Sequence, residues 1–503
     1  SDAVSSGTDS IALGHDASST GNNSISIGND ASSYNLGAIA IGADSDAARI
    51  GSIALGKDAQ ATGSGSTIAI GHSATTFNGL ASPIAIGFQA NTTGAYGVGL
   101  GYQTVTSGAQ GIAIGYIASA TATDSIAIGR QLTTTGQEAI GIGHGAEASG
   151  GTSISIGADS EATVAGSIAV GKSASATGLG VPIAIGRNTT SSGAYGISMG
   201  EAAVASGAQT LAIGYEAEAN NDSGIAIGRQ LTVAGQKAIG IGWGAVAGSD
   251  DSIGIGTSAN ALNTYSISIG VTSQSLASGG VAIGGGAITS ATNINGVAIG
   301  YSAQANSIGG VAIGNNARVS NTSQFGTAIG RDSLADNGDY STALGYGSSA
   351  YSYATALGSN TDATGQRSVA IGYDAVASAG DCIAIGYDAD AGASDSIAIG
   401  QSADASYSSS ISIGANSIAG NLGSIVIGSS ATSDVNNING VAIGYGATAN
   451  QIGSVAIGNT ARSNSQFGTA LGRDSNADSG NYGTALGYSS VAATYATAVG
   501  SNT

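Results

Sequence analysis

The chain is expected to be all-β, a solenoid of short coils, and three observations carry that expectation. The pentapeptide Ser10-Ile11-Ala12-Leu13-Gly14 returns about every fourteen residues from one end of the sequence to the other, as Ser24-Ile25-Ser26-Ile27-Gly28, Ala38-Ile39-Ala40-Ile41-Gly42 and, far downstream, Ser396-Ile397-Ala398-Ile399-Gly400. Within each copy the two large aliphatics stand two residues apart, which is the side-chain period of a strand. The composition excludes several ordinary round cores: the 503 residues include 85 Gly but only 4 Phe and 1 Trp.

Each coil reads as strand, turn, second strand, turn. The Ile-Ala-Ile segment is the first strand, with its aliphatics on one face and a small residue on the other. We expect the aliphatics, namely Ile11, Leu13, Ile25, Ile27, Ile39, Ile41, Ile53, Leu55, Ile126, Ile128, Ile225, Ile227, Ile397 and Ile399, to fill the interior of the roll. The middle residue is almost always Ala, Ser or Gly, and a solvated face has no reason to stay so small. Ala12, Ser26, Ala40, Ala54, Ala127, Ala226 and Ala398 are therefore expected to form a face that another chain approaches closely. After the closing Gly comes a segment such as His15-Asp16-Ala17-Ser18-Ser19-Thr20-Gly21-Asn22-Asn23, rich in the residues that tolerate tight turns. One coil cannot stand alone, so identical coils stack and hydrogen-bond above and below.

The closing glycines keep step at 14, 28, 42 and 56, slip at 71 and 87, and regain the period from 101 to 171. Extra residues should loop out without breaking the stack, so residues 1–503 form one continuous array with no domain boundary. About 34 steps of about 4.8 Å predict a rod of roughly 160 Å. A second repetition overlies the first. Pro83-Ile84 through Leu132 recurs as Pro182-Ile183 through Leu231, and Ile294-Asn295-Gly296-Val297 recurs as Ile438-Asn439-Gly440-Val441. The chain starts at Ser1 and stops at Thr503 in repeat phase, as a segment of a longer chain would.

Repeated Ser-Ile-Ala-Ile-Gly strands, each followed by x-x-Ala-x-Ala and a Gly or Asn turn, closely resemble the YadA-like head repeat of trimeric autotransporter adhesins, over essentially the whole chain. That resemblance implies a single-stranded left-handed parallel β-roll, three chains side by side forming a trimeric rod. It further implies a homotrimer at the bacterial cell surface or otherwise extracellular, binding an extracellular matrix protein, glycan or abiotic surface. A membrane would be met only through an anchor outside this sequence. Neither a neck motif, a coiled-coil stalk nor an anchor barrel is seen in the sequence, and similar repeats also suit phage fibres and filaments. A structural subunit of an extracellular filament or sheath, polymerising through its ends or sides, is the alternative reading.

Little in the sequence suggests chemistry. A net charge of −19 opposes nucleic-acid binding and favours solubility. His15, His72 and His144 lie several coils apart and read as polar turn residues, and Asp44-Ser45-Asp46 and Asp388-Ala389-Asp390 lack the glycine-rich calcium nonapeptide, so neither metal nor cofactor is expected. Cys382 reads as a small apolar residue beside Ile383. No nucleophile, base and orienting group can be placed together, so no enzyme is expected. Tyrosine favours the position after the closing Gly. There Tyr102, Tyr116, Tyr373 and Tyr387 should stack coil on coil into a ladder able to contact a ligand, while Arg130, Arg187, Arg229, Arg331 and Arg473 take the same position and are expected to pair with neighbouring acids.

Overall fold

The computed structural model describes residues 2–77, 81–291, 294–434 and 438–503. It divides into two units, Ser1–Asp250 and Asp251–Thr503, each a stack of coils with one three-residue strand and one two-residue strand in the usual coil. In the first unit the long strands Ile25–Ile27, Ile39–Ile41 and Ile53–Leu55 pair in parallel, like residue on like residue. The short strands Ser18–Ser19, Ser32–Ser33 and Asp46–Ala47 form a second parallel sheet in the same way. The second unit repeats the arrangement, with Ile253–Ile255 on Ile267–Ile269 and Asn260–Ala261 on Gln274–Ser275. Longer coils keep the register, since Ile68 pairs with Ile84 and Ile425 with Val441. Among the described residues no helix is long and apolar enough to cross a membrane.

Hydrogen bonds join neighbouring coils in the turns as well as the strands. Ile25 N donates to Ala38 O at 2.9 Å, Gly28 N to Leu13 O at 2.8 Å, and Asp30 N, in the turn, to His15 O at 2.8 Å. So close a fit explains the closing glycine. Gly28 has φ of 139°, and a Cβ there would stand 2.4 Å from the carbonyl oxygen of Gly42 in the next coil. Two residues on, the turn passes through the left-handed region, as at Asp16 (φ 52°), Asp30 (φ 52°) and Asp44 (φ 57°), where a short polar side chain is better tolerated than most.

The interior reverses the expected sidedness. Ser26, Ala40, Ala54, Ala127, Ala226 and Ala398 are 0% exposed within their own chain, with Ala12 half-buried in a coil at the start of the stack. They point at the short strand of the same roll and form no face toward another chain. The aliphatics expected inside point outward: Ile25, Ile27, Ile39, Ile41, Ile53, Ile126, Ile128, Ile225, Ile227, Ile397 and Ile399 are only half-buried, and Ile11, Leu13 and Leu55 are exposed. The physical reason is thickness. The short strand also turns small residues inward, such as Ala17 and Ser19 or Ala31 and Ser33, and the two sheets lie too close for an isoleucine between them.

Serine before the strand also has a task. Ser24, Ser125, Ser167 and Ser396 are buried, and each hydroxyl donates to the carbonyl three residues back, at 2.6, 2.7, 2.6 and 2.6 Å. Cys382 occupies this serine slot, with Sγ donating to Ala379 O at 2.8 Å, and burial pushes its thiol pKa up.

In two coils a large residue turned inward beside the short strand is answered by glycine on the long strand. Leu132 faces Gly141, and Leu231 and Val233 face Gly240. A Cβ on Gly240 would stand 2.7 Å from Cγ2 of Val233 and 3.1 Å from Cδ1 of Leu231. Gly240→Ala should therefore destabilise by about 1–3 kcal/mol through overpacking, and Val233→Ala by about 1–3 kcal/mol through lost packing. Denaturation of both single variants and the double variant checks this: the double should cost at least about 1 kcal/mol less than the sum, and strict additivity would refute volume compensation.

Candidate functional site

Two surface features follow from stacking like residues on like. The first is the outward face of the long strands, where two aliphatics per coil form parallel columns such as Ile25, Ile39, Ile53 and Ile27, Ile41, Leu55. An apolar stripe repeated over so many coils exceeds what a monomeric soluble surface ordinarily leaves open.

The second is the column formed by the residue after each closing Gly. Tyr102 and Tyr116 stack as expected, with ring centroids 5.0 Å apart and planes within 7°. Tyr373 and Tyr387 stack at 5.4 Å. The first ladder is longer than the tyrosines alone revealed, for His72 lies on Phe88 at 5.2 Å and Phe88 on Tyr102 at 5.1 Å. Its upper end is closed by Arg130, whose guanidinium sits 5.7 Å from the Tyr116 centroid, and Arg130 stands in register with His144. The signal for Phe88 was its position after Gly87, identical to that of the tyrosines.

The arginines of this column divide between rings and acids. Arg229 lies over Tyr215 at 5.4 Å, Arg331 over Tyr346 at 4.4 Å and Arg473 over Tyr488 at 5.4 Å. Arg187 pairs with Glu201 in the next coil, and Arg331 and Arg473 reach Asp332 and Asp474 at 3.5 and 3.2 Å. Beside Tyr215, a hydrogen bond from Gln230, then one from Tyr215 itself, holds the Glu216 carboxyl below its usual range.

A further aromatic column, which the reading of tyrosines after glycine missed, lies in the turn before the long strand. Phe325, Tyr340 and Tyr353 stack there at 5.4 and 5.5 Å, and the duplicated block repeats them as Phe467, Tyr482 and Tyr495 at 5.6 Å each. These residues adopt left-handed backbone, which is why strand periodicity did not mark them.

His15 and His72 lie at exposed turns and His144 ends the strand Ile140–His144; they meet one acid each, Asp16 at 3.1 Å, Asp58 at 3.9 Å and Asp159 at 3.4 Å. Among the described residues no group of three His, Cys, Asp or Glu is placed to hold a metal ion. Asp44 sits in an exposed turn while Asp46 is half-buried on the short strand, with Oδ1 lacking a hydrogen-bond partner. Shallow clefts of about 340 and 350 Å³ occupy equivalent places in the duplicated blocks, one beside Thr460, Arg462 and Asp474, the other beside Asn316, Arg318 and Asp332.

Burial raises the Asp46 carboxyl above its ordinary 3.8. A raised acid binds its proton more tightly in the folded state, so the stabilising proton is present below 3.8 and lost as pH rises through the folded value. Asp46→Ser, which installs the residue found at Ser32 in the paired strand, should raise the melting temperature at pH 7 and leave it nearly unchanged at pH 3. An equal shift at both pH values would remove the carboxylate from the explanation.

Comparison with known proteins follows the same repeat. The family described as YadA head domain repeat (two copies) matches at residues 5–74, 107–131, 135–160, 205–230, 247–273, 291–317, 322–348, 352–403, 436–461 and 464–490, more than half of the chain. No curated protein matches. Among solved structures, the crystal structure of the collagen-binding domain of Yersinia adhesin YadA is similar at 23% identity, covering 31% of this chain and 68% of that one, with a TM-score of 0.20.

Proposed function

The chain belongs to the YadA head repeat family, and from that premise we propose that it is a non-enzymatic extracellular adhesin or fibre segment, residues 1–503 forming one repeat array that works as a homotrimer of β-rolls. The observation that carries this reading is the outward aliphatic stripe. Columns such as Ile25, Ile39, Ile53 and Ile27, Ile41, Leu55 are half-exposed in the single chain, and burying apolar surface stabilises by about 25 cal/mol per Å². A second copy of the same chain offers a stripe of the same composition and coil spacing, so the aliphatic face, and not the small-residue face, is the chain-to-chain surface. The family likeness supplies the number three.

Attachment then falls to the surfaces left outside the assembly. The ladder around Tyr102 and Tyr116 and the stack of Tyr373 and Tyr387 present amphipathic rings, suited to many weak contacts that multiply along a repeated surface. Matrix proteins, collagen among them, glycans and cell surfaces are the ligand classes this supports. The protein acts at the bacterial cell surface.

Light scattering of the purified chain over a range of concentrations tests the assembly, and binding to immobilised matrix proteins tests the activity. A constant mass near three times 47.7 kDa is expected. A stable monomer would overturn the chain-to-chain role of the aliphatic stripe. Mass that climbs with concentration would point to a filament subunit instead.

A further inference from the structure

The column after the closing glycines is chemically unlike the rest of this acidic chain. It holds seven of the twelve Lys and Arg residues (Lys57, Arg130, Lys172, Arg187, Arg229, Arg331 and Arg473), all three histidines, and one acid, Glu201. Several of its cations meet a neighbouring acid, as Arg187 meets Glu201 and the end residues His72 and His144 meet Asp58 and Asp159, but between those two histidines the column carries no acid. The residues that follow the column positions there are Ser73, Gln89, Gln103, Ile117, Gln131 and Gly145, and no Asp or Glu occurs between Asp58 and Asp124. Arg130 rests on Tyr116, and its guanidinium makes no ion pair among the described contacts.

The orientation of the rings defines what this stretch can hold. His72, Phe88, Tyr102 and Tyr116 are stacked face on face, so their faces are covered by one another, yet Phe88, Tyr102 and Tyr116 remain 40, 40 and 44% exposed. What they expose is ring edge and phenol hydroxyl. The edge of an aromatic ring is the positive pole of its quadrupole, so the column offers an anion a run of weakly positive edges ending in a full charge at Arg130. Beside it the Gln103 amide donates to Gln89 Oε1 at 2.7 Å.

We propose that this stretch, His72 to His144, binds an extended acidic polysaccharide, a chain of β-linked pyranoses carrying a carboxylate on each sugar, one sugar to a coil. The rings recur every 5.0–5.2 Å, and an extended β-1,4-linked pyranose chain advances per sugar by nearly the same step. Register therefore persists over the ladder; because successive sugars of such a chain are turned over, every second carboxylate meets a ring edge, a hydroxyl or an amide, with Arg130 as the charged anchor. A single-stranded nucleic acid is disfavoured, because such binding depends on bases stacking on open ring faces, and these faces are closed. This proposal rests on the adhesin reading and names the ligand of one of its surfaces.

The chain carries its own control. In the block repeated 99 residues on, Tyr116 and Arg130 are kept as Tyr215 and Arg229, whereas Phe88, Tyr102 and His144 are replaced by Arg187, Glu201 and Trp243. Arg187 and Glu201 pair with each other, so the ring ladder is interrupted there by a neutralised ion pair.

Calorimetry of the full chain with β-1,4-oligomannuronates of increasing length provides the test. Affinity should rise up to about six sugars and then level, weaken with salt, and exceed that for cello-oligosaccharides of equal length at least tenfold. Phe88→Arg with Tyr102→Glu, which copies the folded Arg187 and Glu201 pair without changing net charge, should lose at least tenfold. Arg130→Gln should lose severalfold, and Tyr215→Ser should change nothing. Equal binding of the neutral oligosaccharide, equal binding of a single-stranded oligonucleotide, or no oligomannuronate binding overturns the proposal. Retained attachment to matrix proteins in that last case would leave the adhesin reading standing, whereas loss of both would remove it.

Discussion

Backbone hydrogen bonding between successive coils, in the same register through strands and turns alike, is the constraint on which the rest of the structure depends. Ile25 N to Ala38 O and Asp30 N to His15 O belong to one continuous set. Because turns as well as strands must pair, every coil must trace nearly the same path as its neighbours. That path admits no Cβ at the closing glycine, where the next carbonyl is already in the way. It also brings the two sheets so near that Ala, Ser and Thr make up most of the interior, and the rare Leu132, Leu231 and Val233 are matched by a Gly opposite.

Much of this was legible in the sequence. The period, the strand at each Ile-Ala-Ile, the polar turns and the stacking of Tyr102 on Tyr116 follow from spacing alone. What was not legible was sidedness. Alternation says that a strand has two faces but not which one turns inward; that depends on sheet separation, which the turns set and a single strand does not report. The deciding hint lay in the short strand, where Ala17 and Ser19 show the same small-residue alternation, so small against small was always a solution beside large against small. Columns in the left-handed turn, such as Phe325, Tyr340 and Tyr353, escaped for a related reason, since no strand or helix period runs through them.

The two copies related by 99 residues separate what the fold requires from what the surface leaves free. Interior positions and closing glycines persist between them: Ala85 and Ala184, Ala127 and Ala226, and the buried Leu132 and Leu231 keep their places. The exposed column does not, for Phe88 and Tyr102 give way to Arg187 and Glu201. A side chain in that column leans only on the coils above and below it, so its chemistry can be changed without disturbing the interior. A YadA-like head can in this way carry different surfaces on identical scaffolding, and Cys382 shows how narrow the tolerance is inside, where a thiol is accepted because it can take over a serine's hydrogen bond.

The direction of those intercoil hydrogen bonds also bears on mechanics. They run along the stack from coil to coil, not across it, so tension applied along a unit pulls on one coil's set of bonds before reaching the next. Such a geometry yields by peeling, one rung at a time, where strands sheared lengthwise would resist together and fail at once. Each released coil adds contour length while the coils behind it stay paired. A tether built this way lengthens under load and dissipates work, and the coils it releases can re-form on the template of those still stacked.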